Sequence, residues 1–182
     1  THLYEGVRFP LPPNYGPAGA GHLPKQALTS REYHDRFEWY PEQTYQKSLR
    51  TYYQQIYGVD YAVGMIRKEL EAQGVADNTV VIFTSDNGFF CGSHFFQGKA
   101  LPYEESARAP LIIHDPRQPA ARRGARCASL TGSIDLAPTM LALAGVEVPE
   151  NMDGRSLTGL MERPTAELHE SLALIQFWPW FS

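Results

Sequence analysis

The residues able to do chemistry crowd into one stretch. Asp86 and Asn87 follow directly on Thr79-Val-Val-Ile-Phe-Thr-Ser85, and His94 and Lys99 come in the loop after them. A carboxylate beside an amide oxygen is a half-site for a hard cation such as Ca²⁺ or Mg²⁺, which takes oxygen donors. Asp86 brings the charge, Asn87 a neutral oxygen, and Gly88 lets the backbone turn sharply behind them. The Lys99 ammonium, thirteen residues beyond Asp86, together with an imidazole and a cation suits an oxyanion such as sulfate or phosphate. Singly, each residue has a plainer reading. Asp-Asn-Gly after a strand makes turns, a loop histidine sits in solvent, and a lysine is a surface charge. The chemical reading rests on the whole string.

The flanking elements explain how such a string is held. Residues 79–83 are apolar or β-branched throughout and read as a buried strand. Ligands of α/β proteins gather at the carboxyl ends of such strands. Before it, Leu49, Tyr53, Ile56, Val63, Ile66 and Leu70 recur at helical spacing, which predicts a helix over 43–73 with a continuous apolar stripe. Gly74 sits where a glycine ends a helix. Gly58 and Gly64 lie inside it, weakening it and leaving room for close packing. Asp60, near the stripe, calls for a structural partner. Helix, turn and strand make one αβ unit, so the predicted fold is α/β: part of a mostly parallel sheet flanked by helices. Downstream, 103–106 read as one helical turn, 111–113 as a second strand and 128–134 as a third. Asp135 is placed to cap a short helix that carries Pro138 in its first turn and stops at Gly145. Arg117, Arg122, Arg123 and Arg126 make a basic, solvated loop.

Composition narrows the function classes. The chain has 182 residues, 43% hydrophobic and 20% charged, an ordinary globular mixture with enough length for a real core. A formal net charge of −4 gives no electrostatic case for nucleic acid or an anionic membrane. No run reaches the roughly 18 apolar residues of a membrane helix. Cys91 and Cys127 could form one disulfide or stay free, and neither has a setting that makes a nucleophile. Residues 1–30 are rich in proline and glycine, which predicts either a surface lid or a chain beginning inside a fold. The aromatic cluster Tyr33, Phe37, Trp39 and Tyr40 reads as packing of this loop onto the body, ahead of a sugar-stacking platform. The apolar stretch 177–181 predicts a further element beyond it.

Placed in order, the motifs resemble the C-terminal part of a type I sulfatase, the formylglycine-dependent branch of the alkaline phosphatase superfamily. The resemblance runs through Tyr57-Gly-Val-Asp-Tyr-Ala-Val-Gly64 and Asp77-Asn-Thr-Val-Val-Ile-Phe-Thr-Ser-Asp-Asn-Gly88. It continues in Gly92-Ser-His94, Gly98-Lys99, Tyr103-Glu-Glu-Ser106, Arg108-Ala-Pro-Leu-Ile-Ile113, Ile134-Asp-Leu-Ala-Pro-Thr139, Leu143-Ala-Gly145 and Asp153-Gly-Arg-Ser-Leu157, about residues 45 to 160. It implies that Asp86 and Asn87 bind the metal, usually Ca²⁺, with Mg²⁺ as the other choice. It implies that Lys99 binds the sulfate oxygens and aids the leaving group, and that His94 stands at the active-site rim. Asp135 and Arg108 match positions read as structural.

The departures are equally specific. The family nucleophile, a formylglycine made in Cys-x-Pro-Ser-Arg, matches neither Cys91-Gly-Ser-His-Phe nor Cys127-Ala-Ser-Leu-Thr. The N-terminal metal-binding aspartates are not found either, and Phe9-Pro-Leu-Pro-Pro-Asn14 resembles the segment following the family's substrate histidine. The expectation is half an active site, inactive by itself, in a parent that hydrolyses a sulfated small molecule or glycan. By the same resemblance, 1–44 form a lid-like segment, 45–162 the C-terminal part of the catalytic domain and 163–182 the start of a C-terminal subdomain. The parent is expected to be secreted, periplasmic or lysosomal. Two alternatives stay open: a phosphodiester or phosphonate monoester hydrolase of the same superfamily, whose members often carry Asp-His-Gly, and a non-catalytic binding module with a vestigial site.

Overall fold

A computed structural model describes residues 2–36 and 39–172. The elements run α1 (Lys25–Leu28), α2 (Arg31–His34), α3 (Glu42–Ala72), β1 (Val81–Thr84), α4 (Glu104–Ala107), β2 (Leu111–His114), α5 (Leu136–Leu143) and α6 (Thr158–Glu162), with short 3₁₀ turns between them. Among the described residues β1 and β2 pair in a two-stranded sheet. The chain divides into two compact units, Thr1–Ala76 with Phe83–Ile112 and Asp77–Ile82 with Ile113–Ser182.

In the first unit, α3 runs for 31 residues from behind Pro41, with Glu42 in the first turn facing the positive end of the helix dipole. It stops as the sequence predicts. Gly74 takes φ +68°, its N–H donates to Glu71 O at 3.0 Å, and Val75 N–H donates to Leu70 O at 3.0 Å. Those two bonds satisfy the last carbonyls in a Schellman cap. The apolar stripe is only partly used. Tyr45 and Leu49 are buried, whereas Ile56 and Ile66 are 46% and 58% exposed. The reason is reach: the partners of this face are Phe9 and Trp39, and they cover only the first turns. Asp60 is exposed and so has no need of the partner expected for it. A second cluster joins Ala20, Leu23 and Ala27 to Phe90, Phe95 and Phe96, and it anchors the loop that follows β1.

The N-terminal loop has no periodicity because α3 side chains, not a ladder, satisfy its backbone. The Gln46 amide grips Phe9 at both N–H and C=O, each at 2.8 Å. Tyr45 Oη donates to Pro10 O, Arg50 Nε to Tyr4 O and Gln54 Nε2 to Leu3 O. Gly58 and Gly64 do not mark close packing, since a Cβ at either would meet nothing within 4 Å. Gly58→Ala and Gly64→Ala should therefore each stabilise the chain by about 0.8–1 kcal/mol through helix propensity. Urea midpoints of the two variants check this; a loss of stability at either would reveal packing on that face.

The strands are less covered than expected. The first three residues of β1 are half-buried and Thr84 is exposed, and Ile112 of β2 is 62% exposed. Among the described residues each strand has a single neighbour, which leaves one edge of each unpaired.

In the second unit, 128–134 form no strand. Side-chain bonds stand in place of a ladder there: Gly132 N–H donates to Asp135 Oδ2 at 2.8 Å, and the Ser129 hydroxyl accepts from the backbone N–H of Leu168 at 2.9 Å. Asp135 does occupy the N-cap position of α5, but its carboxylate caps nothing in that helix. Fully buried, it takes Gly132 N–H, Arg155 N–H at 2.8 Å and His169 Nε2 at 2.9 and 3.0 Å. Thr139 Oγ1 in turn accepts from Leu157 N at 2.8 Å. A Cβ on Gly154 would fall 2.0 Å from Ile134 O, so only glycine lets these segments meet. The motifs Ile134–Thr139 and Asp153–Leu157 are thus one structural pin. At the end of α5, Gly145 takes φ +71° and Val146 N–H closes on Leu141 O. Arg117 is not a free member of the basic loop. Its guanidinium binds the buried Asp115 carboxylate at 2.8 and 2.9 Å and also donates to Leu143 O. Phe37 and the apolar stretch 177–181 lie outside the described residues.

Candidate active site

The turn after β1 is shaped by backbone contacts that only glycine permits. Thr84 Oγ1 donates to Pro110 O at 2.9 Å, and Gly88 N–H donates to Ser106 O at 2.8 Å. A Cβ at Gly88 would lie 2.1 Å from Glu105 O and 2.7 Å from Arg108 O. Gly88→Ala is therefore expected to destabilise the chain by about 2–3 kcal/mol, the scale of an overpacked site, checked by urea denaturation; an unchanged midpoint would contradict this packing.

The same serine brings the lysine back. Ser106 is buried, and its Oγ accepts from Ala100 N at 3.1 Å while Phe90 N–H donates to Gly98 O at 2.8 Å. Lys99 is carried between these two ties. Its Nζ donates to Asn87 Oδ1 at 2.6 Å and stands 3.6 Å from Asp86 Oδ2. Asn87 Nδ2 donates to its neighbour's carbonyl, Gly88 O, at 2.7 Å, which turns Oδ1 toward the ammonium. Ser85 Oγ donates to Asp86 Oδ1 at 3.2 Å. The group is open: the Asp86 side chain is 79% exposed and that of Lys99 47%. So three of the four residues singled out by sequence meet at one point.

His94 has other neighbours. Its Nε2 lies 3.3 Å from Glu105 Oε1, and its ring is 5.0 Å from Tyr103 and 5.3 Å from His22. Its hydrogen-bond and ring contacts do not include Asp86, Asn87 or Lys99 among the described residues. Nδ1 is buried with no partner there. The backbone at His94 has φ +56° and at Phe95 +62°, left-handed values that cost energy in non-glycine residues and gather at functional loops. Glu105 was not singled out by sequence. It lies eleven residues from His94 on a separate element, and no local spacing marks the pair.

The two cysteines are free thiols. Burial pushes the Cys91 thiol up to about 12, so it stays protonated and unreactive at neutral pH. Neither cysteine fits a formylglycine, and no step runs through one here. A hard divalent cation does fit Asp86 and Asn87 by donor type, since both offer oxygen. They make only part of a shell of six to eight oxygens. No cluster of three or more His, Cys, Asp or Glu residues able to hold a metal occurs among the described residues.

An α/β chain with this strand, turn and returning lysine has the fold of the alkaline phosphatase superfamily, and solved structures of that class superpose on it. A family model described as Sulfatase matches residues 20–146, and the chain belongs to the sulfatase family. It is 41% identical over 118 residues to the N-acetylglucosamine-6-O-sulfatase of Bacteroides thetaiotaomicron, covering 65% of this chain and 21% of that protein. It is similar to the solved structure of BT4656 in complex with its substrate D-glucosamine-2-N,6-O-disulfate. There the identity is 33% and the TM-score 0.64, over 80% of this chain and 30% of that one. The phosphonate monoester hydrolase of Silicibacter pomeroyi gives 31% identity and a TM-score of 0.61, over 73% of this chain and 25% of that one. The chain thus spans between about a fifth and a third of the length of these relatives. Family membership implies a metal ion and a formylglycine in the full-length protein.

Proposed function

We propose that the full-length protein hydrolyses sulfate esters of sugars, with Asp86 and Asn87 holding part of a divalent cation site and Lys99 binding the ester's anionic oxygens. One observation carries this reading: the Lys99 ammonium sits 2.6 Å from Asn87 Oδ1 and 3.6 Å from Asp86 Oδ2 at the end of β1. The cation, for which Ca²⁺ is our choice, supplies charge neutralisation and Lewis acidity when bound. Asp86 contributes the negative donor, and Asn87 a neutral oxygen already oriented by its bond to Gly88 O. Lys99, tied down through Ser106 and Phe90, is a preorganised donor for charge building on a sulfate or leaving oxygen. His94, steadied by Glu105, serves at the rim. The sugar sulfate class is supported by the names of the glucosamine-directed relatives. The reading extends by analogy alone to an exported protein, secreted, periplasmic or lysosomal.

A second reading, phosphonate monoester hydrolysis, is supported by the likeness to the Silicibacter enzyme; Asn87 in place of the histidine common in such relatives favours sulfate. Kinetics of Lys99→Ala in the full-length protein test both. We expect kcat/KM for an aryl sulfate to fall about 10²-fold, with sulfate turned over faster than a phenylphosphonate ester by the unaltered enzyme. Preference for the phosphonate establishes the second reading, and an unchanged rate in the variant removes Lys99 from the chemistry.

A further inference from the structure

One pocket of the first unit lies outside the residues just assigned. Pro17, Tyr33, His34, Arg36, Tyr40 and Phe95 line a cavity of about 520 Å³, a size that takes a small ligand. Its cation is held rigidly. The Arg36 guanidinium carbon is 4.1 Å from the Tyr33 ring centre and 4.5 Å from that of Phe95, and Nη1 donates to Tyr33 O. Contact with two rings set nearly at right angles, 83° apart, holds the guanidinium in place, and one carbonyl uses only one of its five N–H donors. Among the described residues no carboxylate pairs with Arg36. The remaining donors form a preset fork for a sulfate or carboxylate group. Tyr40, 38% exposed, adds an aromatic wall, and such a ring packs against the C–H face of a sugar. The pocket shares its support with the lysine: Phe95 lies on the loop leading to Lys99, and Gln97 N–H donates to Glu32 O of α2 at 3.0 Å.

We infer that this pocket is a subsite for an anionic sugar unit of the substrate, with Arg36 gripping its sulfate or carboxylate and Tyr40 its ring face. The identity of the ligand rests on the sulfate-ester reading above.

The test uses the full-length protein and two readouts. The first is calorimetric binding of a sulfated, uronate-containing disaccharide prepared from heparin. The second is turnover of p-nitrophenyl sulfate, which is too small to need the pocket. Arg36→Met keeps apolar packing between the rings and removes the charge; Tyr40→Ala removes the exposed wall, so neither variant depends on the other's folding. Arg36→Met should weaken the disaccharide about tenfold or more and Tyr40→Ala about fivefold, with kcat/KM for the aryl sulfate within about twofold in both. Unchanged disaccharide binding in both variants of an enzyme that turns over the aryl sulfate overturns the subsite alone. Failure of the unaltered protein to hydrolyse any sulfate ester overturns the underlying reading and the ligand assignment with it.

Discussion

Replacing Asp86 by alanine in the full-length protein is expected to lower kcat/KM for an aryl sulfate by about 10³-fold or more, about 4 kcal/mol of transition-state stabilisation. The melting temperature should barely move. The size of the first effect follows from charge. Asp86 is the one formally negative group of the open cluster, beside the neutral Asn87 oxygen and the Lys99 ammonium. Without it the remaining donors hold a cation poorly, and Lys99 loses the carboxylate that faces it. The smallness of the second follows from exposure: at 79% exposed, the side chain leaves no cavity behind, and surface ion pairs of this kind contribute little to folding. Asp86→Asn, which keeps an oxygen donor without the charge, should fall between the two. Steady-state kinetics alongside a thermal melt separate these outcomes. A variant that melts normally and turns over at the original rate would remove Asp86 from the chemistry.

Asp135→Ala is the second large effect, and it falls on stability. The carboxylate is fully buried and accepts from Arg155 N–H, Gly132 N–H and His169. Alanine leaves two backbone donors and an imidazole unpaired in the interior, a loss of about 3–5 kcal/mol. Asn at this position keeps one acceptor and should lose less. The pH dependence has a definite sign. Burial pushes the Asp135 carboxyl up, but the Arg155 and Gly132 N–H groups and then His169 outweigh it and hold the group below the ordinary carboxylate range. Asp115 is held down in the same direction, first by its hydrogen bond from Arg117. Both contributions are full above the unfolded value of about 3.9 and disappear as pH falls through the lower folded values. Melting temperatures followed downward from pH 7 should therefore drop steeply below about pH 4, and less steeply in Asp135→Ala. Equal slopes in the two proteins would contradict this account of the pin.

How much of this could be read from residues alone depends on range. The limits of α3 were legible because its signals are local: a repeating apolar stripe, and Gly74 where the chain must turn left-handed. Burial of the stripe was not, because coverage depends on which distant residues arrive, and Phe9 and Trp39 reach only its first turns. The strand expected over 128–134 failed for a similar reason. Its residue types suit a strand, but the Gly132 N–H finds the Asp135 carboxylate and the Ser129 hydroxyl takes the backbone N–H of Leu168. Two of the three partners of Asp135, Arg155 and His169, lie 20 and 34 residues away, and no spacing rule signals them. In the site, Asp86, Asn87 and Lys99 share one strand–loop string, so their types and order sufficed to bring them together. Glu105 meets His94 and Arg36 meets Phe95 only through tertiary contacts, and no spacing marks either pair.

The central claim is that the Asp86–Asn87 pair and Lys99 hold a divalent cation and a tetrahedral anion side by side. Diffraction from crystals of the full-length protein grown with Ca²⁺ and inorganic sulfate tests it most directly. The account predicts a Ca²⁺ ion about 2.3–2.6 Å from oxygens of Asp86 and Asn87, with a sulfate oxygen within hydrogen-bond reach of Lys99 Nζ. A cation and sulfate bound together elsewhere, with Asp86 and Lys99 still facing open solvent, would contradict it.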